Sequence, residues 1–278
     1  MKFQLKALAA ALALAVTLPA HAAIDKANTG NGSLVLTLLD RVGTISATFD
    51  LGKNYSDFSV APNVAANTGA NGGFLTSNVD AAGTSFSWNL TQGDYAAAWT
   101  SFLQVGTLAN TQWGVLAGDN LGSLAGGRGY ITTAFTAGTA IKSSEVSTDT
   151  SNLDTYLTQV NTEGNHAAVA DGASSAISGS GYAGSAVFGP NGALSGKGPT
   201  TLGAVGSDVG VIQVSTVASS ISPANQYTFA NNAHFNLSST GLLTYSTTAV
   251  AAVPEADTWA MMFMGLGLMG FIARRKQA

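Results

Sequence analysis

Residues 32–52 read GSLVLTLLDRVGTISATFDLG. Leu34, Leu36 and Leu38 alternate along one face, a polar break falls at Asp40-Arg41, and Ile45, Ala47 and Phe49 then alternate again. A period of two is the signature of a β-strand, so the stretch predicts two strands joined by a turn. The pattern recurs in TSFSWNL (84–90), where Phe86, Trp88 and Leu90 share a face. It returns in TQWGVLAGD (111–119), GYITTAF (129–135), VGVIQVSTVA (209–218), QYTFA (226–230), AHFNLSS (233–239) and LLTYS (242–246).

Two segments break the period. In GDYAAAWTSFLQ (93–104), Tyr95, Trp99 and Phe102 stand at helical spacing, with Asp94 as a cap and Gly106 past the end. In SNLDTYLTQV (151–160), Leu153, Tyr156, Leu157 and Val160 share one face, with Ser151 or Asn152 as the cap and Gly164 beyond. Residues 170–208 are rich in Gly and Ser, and Asn191-Gly192 is a hairpin-turn pair. About ten short strands with two short helices, and no βαβ alternation, predict a mostly-β, sandwich-like domain.

Composition fits an extracellular β-protein better than a cytosolic enzyme. Only 9% of the 278 residues are charged while 46% are apolar, and cysteine is absent. The charged share is far below the roughly 25% usual for soluble domains. The polar surface must come mostly from Ser, Thr, Asn and Gln, a profile that suits exported β-proteins. With no thiol, disulfide and thiolate chemistry are excluded. Residues 23–253 hold 13 acidic and 6 basic side chains, a net of −7 with no basic patch, which excludes nucleic acid as a partner.

The opening MKFQLKALAAALALAVTLPAHAA has the three regions of a signal peptide. Lys2 and Lys6 give the positive start, Ala7–Leu18 an uncharged run of 12 residues, and Ala20-His21-Ala22 the small residues of a cleavage site. Cleavage between Ala22 and Ala23 is expected, by signal peptidase after passage through the Sec translocon.

The chain offers few chemical motifs. Gly179-Ser180-Gly181-Tyr182-Ala183-Gly184 fits G-x-G-x-x-G, but no acidic residue follows near position 200, where Thr200, Thr201 and Leu202 stand, so it reads as a loop. Outside the leader only His166 and His234 remain, neither at zinc-ligand spacing, and no G-x-S-x-G occurs. The scattered carboxylates read as turn residues rather than a glycosidase pair. No cofactor is expected. A structural calcium is the one ion the loops suit, through Asp119-Asn120 and through Asp149 with Asp154, although no EF-hand is present. Trp88, Trp99 and Trp113 lie in apolar patterns and read as core rather than as a sugar-stacking surface.

The closing VPEADTWAMMFMGLGLMGFIARRKQA (253–278) carries the most specific signal. Sixteen residues, Thr258–Ala273, are uncharged. As a helix they span about 24 Å at 1.5 Å per residue, short of a hydrocarbon core of about 30 Å. Trp259 suits one membrane interface, and Arg274, Arg275 and Lys276 suit the cytoplasmic one as a basic stop. Gly265, Gly267 and Gly270 weaken such a helix or admit a close partner. The stretch closely resembles the PEP-CTERM sorting signal of Gram-negative bacteria. Pro254 and Glu255 match its opening motif, Ala256 replaces the usual second proline, and the glycine-bearing apolar run and Arg274-Arg275 follow in order. The segment FSWNLTQGDYAAAWTSFL (86–103), followed by QWGVLAGD (112–119), also looks like the bodies of other such proteins.

The resemblance implies recognition by exosortase, a multi-spanning membrane cysteine transpeptidase, and a cut near Pro254-Glu255. It also implies transient anchoring in the inner membrane, then delivery to the cell surface or extracellular matrix, where such proteins accompany exopolysaccharide, biofilm and floc formation. The expected organisation is a signal peptide (1–22), a β-rich exported domain (23–245), a linker (246–253) and the sorting signal (254–278). No enzymatic activity is expected. Two alternatives stand: a secreted carbohydrate-binding module, and a secreted hydrolase with His166 or His234 beside a Ser or carboxylate in a cleft.

Overall fold

The structure, a computed structural model, describes residues 23–60, 77–121, 127–134, 140–188 and 198–249. The signal peptide, the Asn191-Gly192 turn and the hydrophobic C-terminal helix expected from the sequence lie outside the described residues. Contacts divide the chain after Thr248, and every described strand and helix belongs to the first unit.

Strand β1 (Ser33–Asp40) forms an antiparallel hairpin with β2 (Ile45–Asn54), pairing Leu36 with Phe49 and Leu38 with Ala47. The Asp40 carboxylate builds the turn: its Oδ1 accepts the Val42 and Gly43 N–H groups, both at 2.9 Å. Its Oδ2 accepts the Thr107 N–H at 2.8 Å, tying the hairpin to the segment after the first long helix.

The remaining strands are β3 (Ser85–Asn89), β4 (Thr111–Asp119), β5 (Gly129–Thr133), β6 (Ala173–Ala176), β7 (Gly203–Ala204), β8 (Asp208–Ser215), β9 (Asn225–Thr228), β10 (His234–Leu237) and β11 (Leu242–Ser246). They run β3-β11-β10-β8-β5-β4-β1-β2-β6, with β7 beside β4 and β9 beside β8, and each pairing is antiparallel. The mostly-β expectation therefore holds, in a particular form. Instead of two separate sheets, one sheet curls so that its inner face packs on itself, with β8 running unbroken through the bend.

Side chains close the curl where pairing stops. β6 covers β2 only from Ser46 to Phe49. Beyond it, the Leu51 carbonyl accepts the Trp88 indole N–H at 2.8 Å, and the Asp50 carbonyl accepts the Tyr95 hydroxyl. Two aromatic donors thus satisfy an edge that would otherwise present bare carbonyls.

The helices are α1 (Tyr55–Phe58), α2 (Ala96–Val105), α3 (Ser143–Val160) and α4 (Ala183–Ala186). α2 matches its predicted stripe, burying Trp99 and Phe102 with Tyr95 packed beside them, and Gly106 ends it. Asp94 does not cap it: a 3₁₀ turn over Gly93–Tyr95 leads straight in, with no side-chain cap bond. α3 is not short. It begins eight residues before the expected cap, at Ser143, where the Glu145 carboxylate accepts the Lys142 N–H at 2.8 Å. Ser151 and Asn152 are mid-helix, because the polar run Ser143–Asn152 hides a stripe whose apolar contribution is Val146 alone.

α3 explains the burial of β1, all eight of whose residues are buried. Leu34, Leu36 and Leu38 face the interior of the curl with Phe49, Trp113 and Phe235. Val35 and Leu39 face the opposite way, packing with Leu153, Tyr156 and Leu157 of α3. Each fully buried side chain of this size contributes about 1.5–3 kcal/mol. Among the described residues no helix is long and apolar enough to cross a membrane. The chain remains bonded into the body through Ser246, Thr247 and Thr248, the first residues of the expected linker.

Two glycines with left-handed φ allow a test. At Gly164 (φ +60°) an added Cβ would lie 2.1 Å from the Ala173 carbonyl oxygen, whereas at Gly179 (φ +75°) it would meet nothing within 4 Å. Gly179→Ala is expected to cost about 1–2 kcal/mol from backbone strain alone, and Gly164→Ala clearly more, as measured by urea unfolding.

Candidate functional site

Both histidines among the described residues sit beside a serine, and burial separates their roles. His166 lies in the turns after α3 and is fully buried. Its Nε2 is 3.2 Å from the Oγ of Ser174, itself buried on β6. Burial lowers its pKa to about 4, so the ring is neutral at physiological pH. A sealed pair cannot meet a substrate, and its effect is structural.

His234 opens β10 at the surface. Its Nδ1 lies 2.7 Å from the Asn232 carbonyl, an acceptor only, so Nδ1 carries the proton. Nε2 is then free to accept from Ser246 Oγ at 3.1 Å, its cross-strand partner in the register. Asp208, on the other neighbouring strand, places Oδ2 3.8 Å from the same nitrogen, while its Oδ1 accepts the Asn236 amide at 2.6 Å. A hollow of about 430 Å³ lies beside this group, lined by Ser85, Ser87, Thr244 and Ser246 among others. Sequence reasoning named His234 but not Ser246 or Asp208. The register that unites them spans three strands from separate parts of the chain, and no local motif records it.

The other candidates lie in separate places. Trp99 and Trp113 are buried, and Trp113 donates its indole N–H to the Ala204 carbonyl at 2.9 Å. Trp88 is half-buried with its N–H engaged, so the three rings form no exposed row. Gly179–Gly184 is a turn into the four-residue α4, preceded by a strand antiparallel to β2, unlike a nucleotide loop. Asp149 and Asp154 lie on α3 rather than on loops. Asp154 accepts the Asn28 N–H and the Asn120 amide, both at 3.0 Å, and Asp119 accepts the Leu121 N–H at 3.0 Å. These oxygens are bound to the protein itself. Among the described residues no group of three or more His, Asp or Glu is placed to hold a metal.

A second hollow, of about 220 Å³, is lined by Ala23, Asp25, Ser33, Asp50 and Asp171 among others. Asp50 forms its floor at 4% exposure. Its pKa is raised to about 7, chiefly by burial, against bonds from Gly52 N–H and Ser33 that lower it, and with Asp171 and Asp25 adding repulsion. Of the processing residues named from the sequence, Ala23 is placed here. Ala22, Pro254, Glu255, Trp259, Gly265, Gly267, Gly270, Arg274, Arg275 and Lys276 lie outside the described residues.

The sealed histidine has a measurable signature. Its folded pKa of about 4 lies below the unfolded value of 6.5. Between these values the unfolded chain holds a proton that the folded chain lacks, so stability is lost as pH falls through that window. The loss is at most about 3 kcal/mol. His166→Gln is expected to flatten this acid limb in melting curves recorded from pH 7 to pH 4.

Comparison with known proteins gives one match. No curated protein and no solved structure matches the chain. Residues 252–276 match the family model for the PEP-CTERM protein-sorting motif, the stretch whose residues showed the resemblance. The chain is a PEP-CTERM sorting domain-containing protein, and the motif marks it as an exported protein addressed to exosortase.

Proposed function

We propose that this is a non-enzymatic protein of the cell surface or extracellular matrix, exported through the Sec translocon and held transiently in the inner membrane. Exosortase cuts its tail near Pro254-Glu255 and releases the β-rich body to a setting of exopolysaccharide and biofilm. The motif match over residues 252–276 carries this reading. The fold supports it, because β11, the last strand among the described residues, ends at Ser246, ahead of a cut at Pro254. The six residue-to-residue steps from Thr248 to Pro254 span about 20 Å when extended.

The intact mass of the protein from its native host is expected to lack the residues beyond the Pro254 region, and a host without exosortase to retain them. A tail that persists in the normal host would leave a plain membrane anchor. Loss of matrix or floc formation in a deletion strain would support the proposed role of the body.

One observation favours a second reading, a secreted hydrolase: the Ser246–His234 bond with the tautomer set by the Asn232 carbonyl. A hydroxyl, an acceptor nitrogen and an orienting group are the parts of an activated nucleophile. Against it, Ser246 ends a regular strand rather than standing on a strained turn. Covalent labelling by a fluorophosphonate that Ser246→Ala abolishes would favour the hydrolase. Absence of labelling at millimolar probe would leave the pair as a cross-strand bond. The carbohydrate-binding alternative loses the platform of Trp88, Trp99 and Trp113 and would need another surface.

A further inference from the structure

The acidic hollow contains the residue at which the mature chain is expected to start. Ala23 lines it beside Asp25, Asp50 and Asp171. Among the described residues none of these three carboxylates is in an ion pair. The backbone next to Ala23 is clamped. The Ile24 N–H donates to Asn161 Oδ1 at 2.8 Å, and Asn161 Nδ2 donates to the Ile24 carbonyl at 2.9 Å. The Asp25 N–H donates to Ser33 Oγ at 3.0 Å, and the Ser33 N–H returns to the Asp25 carbonyl at 2.8 Å. Ile24 itself is 2% exposed. The position of Ala23 is therefore set by the bonds of the two residues that follow it.

We propose that removal of the leader places the new α-ammonium group of Ala23 in this hollow as the counter-ion of Asp50 and Asp171, so that export completes the fold. The inference rests on cleavage between Ala22 and Ala23. That hydrolysis consumes one water: Ala22 leaves with the carboxylate, and Ala23 keeps the amine, which is largely protonated at neutral pH. Before the cut, the nitrogen of Ala23 is an amide with no charge to offer. Asp50 then stays protonated up to about neutrality, because a buried carboxylate without a cation is costly. In that state the folded chain holds a proton the unfolded chain has lost, so stability falls as pH rises from 3.8 to about 7. Among the described residues, the titratable groups facing Asp50 are Asp25, Asp171 and the Tyr95 hydroxyl, which is bonded to the Asp50 carbonyl, and none of these supplies a positive charge. An ammonium tethered one residue from a clamped backbone supplies it at high effective concentration. The unprocessed chain thus folds less firmly at neutral pH than the mature one.

The test uses the mature protein from its native host. Mass spectrometry of the N-terminal peptide first fixes the starting residue; a start other than Ala23 overturns the cleavage reading and the ion pair with it. With Ala23 confirmed, melting is compared at pH 7 before and after selective acetylation of the α-amino group. Acetylation is expected to lower Tm by at least about 3 °C in the wild-type protein, and by much less in Asp50→Asn. Asp171→Asn, a change at the exposed rim, should also shrink the difference and serves where Asp50→Asn does not fold. An unchanged Tm on acetylation, or a drop as large in the variants as in wild type, overturns the ion pair while leaving the cleavage site intact.

Discussion

The fold depends on a central strand buried on both faces. β1 lies between β2 and β4 and presents leucines inward while Val35 and Leu39 point outward. Neither face can be left to water, since each large side chain so exposed would forfeit about 1.5–3 kcal/mol. The inner face is covered by the far end of the same sheet, bringing Phe235, Leu243 and Tyr245 over the leucines. The outer face is covered by α3, which makes this helix as necessary as any strand. Thr48 and Tyr156 share a hydroxyl hydrogen bond across that layer, fixing α3 over β2.

Buried polar groups follow from the same packing. Gln213 occupies a fully buried position on β8. Its amide donates to the hydroxyls of Tyr55 and Ser59, at 2.9 and 3.1 Å, and its carbonyl accepts the Val60 N–H at 2.9 Å. This one side chain satisfies the segment leaving α1, which pairs with none of the described strands. Asp40 does similar work at the β1–β2 turn. In both places a long-range side-chain bond replaces the ladder, which keeps the backbone paired through sharp changes of direction.

Legibility in the sequence divides along physical lines. β4 and β11 are bounded as expected, Thr111–Asp119 and Leu242–Ser246, because their patterns are long or flanked by turn residues. The curl could not be read, since strand order depends on pairings between residues more than a hundred positions apart, such as Trp88 opposite Leu243. Val35 and Leu39 signalled the second buried face, but the alternating leucines outweighed them. The start of α3 was lost because a Ser- and Thr-rich first half looks like a turn segment. The sorting motif was the reverse case. Its meaning lies in the local order of Pro254-Glu255, an apolar run and a basic cluster, so 25 residues sufficed without any fold.

Scarcity of charge gives the remaining charges their weight. With 9% charged residues, the surface is solvated by hydroxyls and amides, whose hydrogen bonds are little affected by salt or by pH near neutrality. Groups buried against their preferred charge state therefore govern how the body responds to acid. His166 opposes acidification, whereas Asp50, while it lacks a cation, opposes neutrality. The two slopes share a pH window and oppose each other, so they partly cancel in an unprocessed chain. A cation placed at Asp50 removes its slope and leaves that of His166, moving the optimum toward neutral pH. One peptide-bond cleavage beside the ends of β1 and β2 can thus change the stability of the whole sheet, because Asp50 belongs to β2 and β2 pairs with β1.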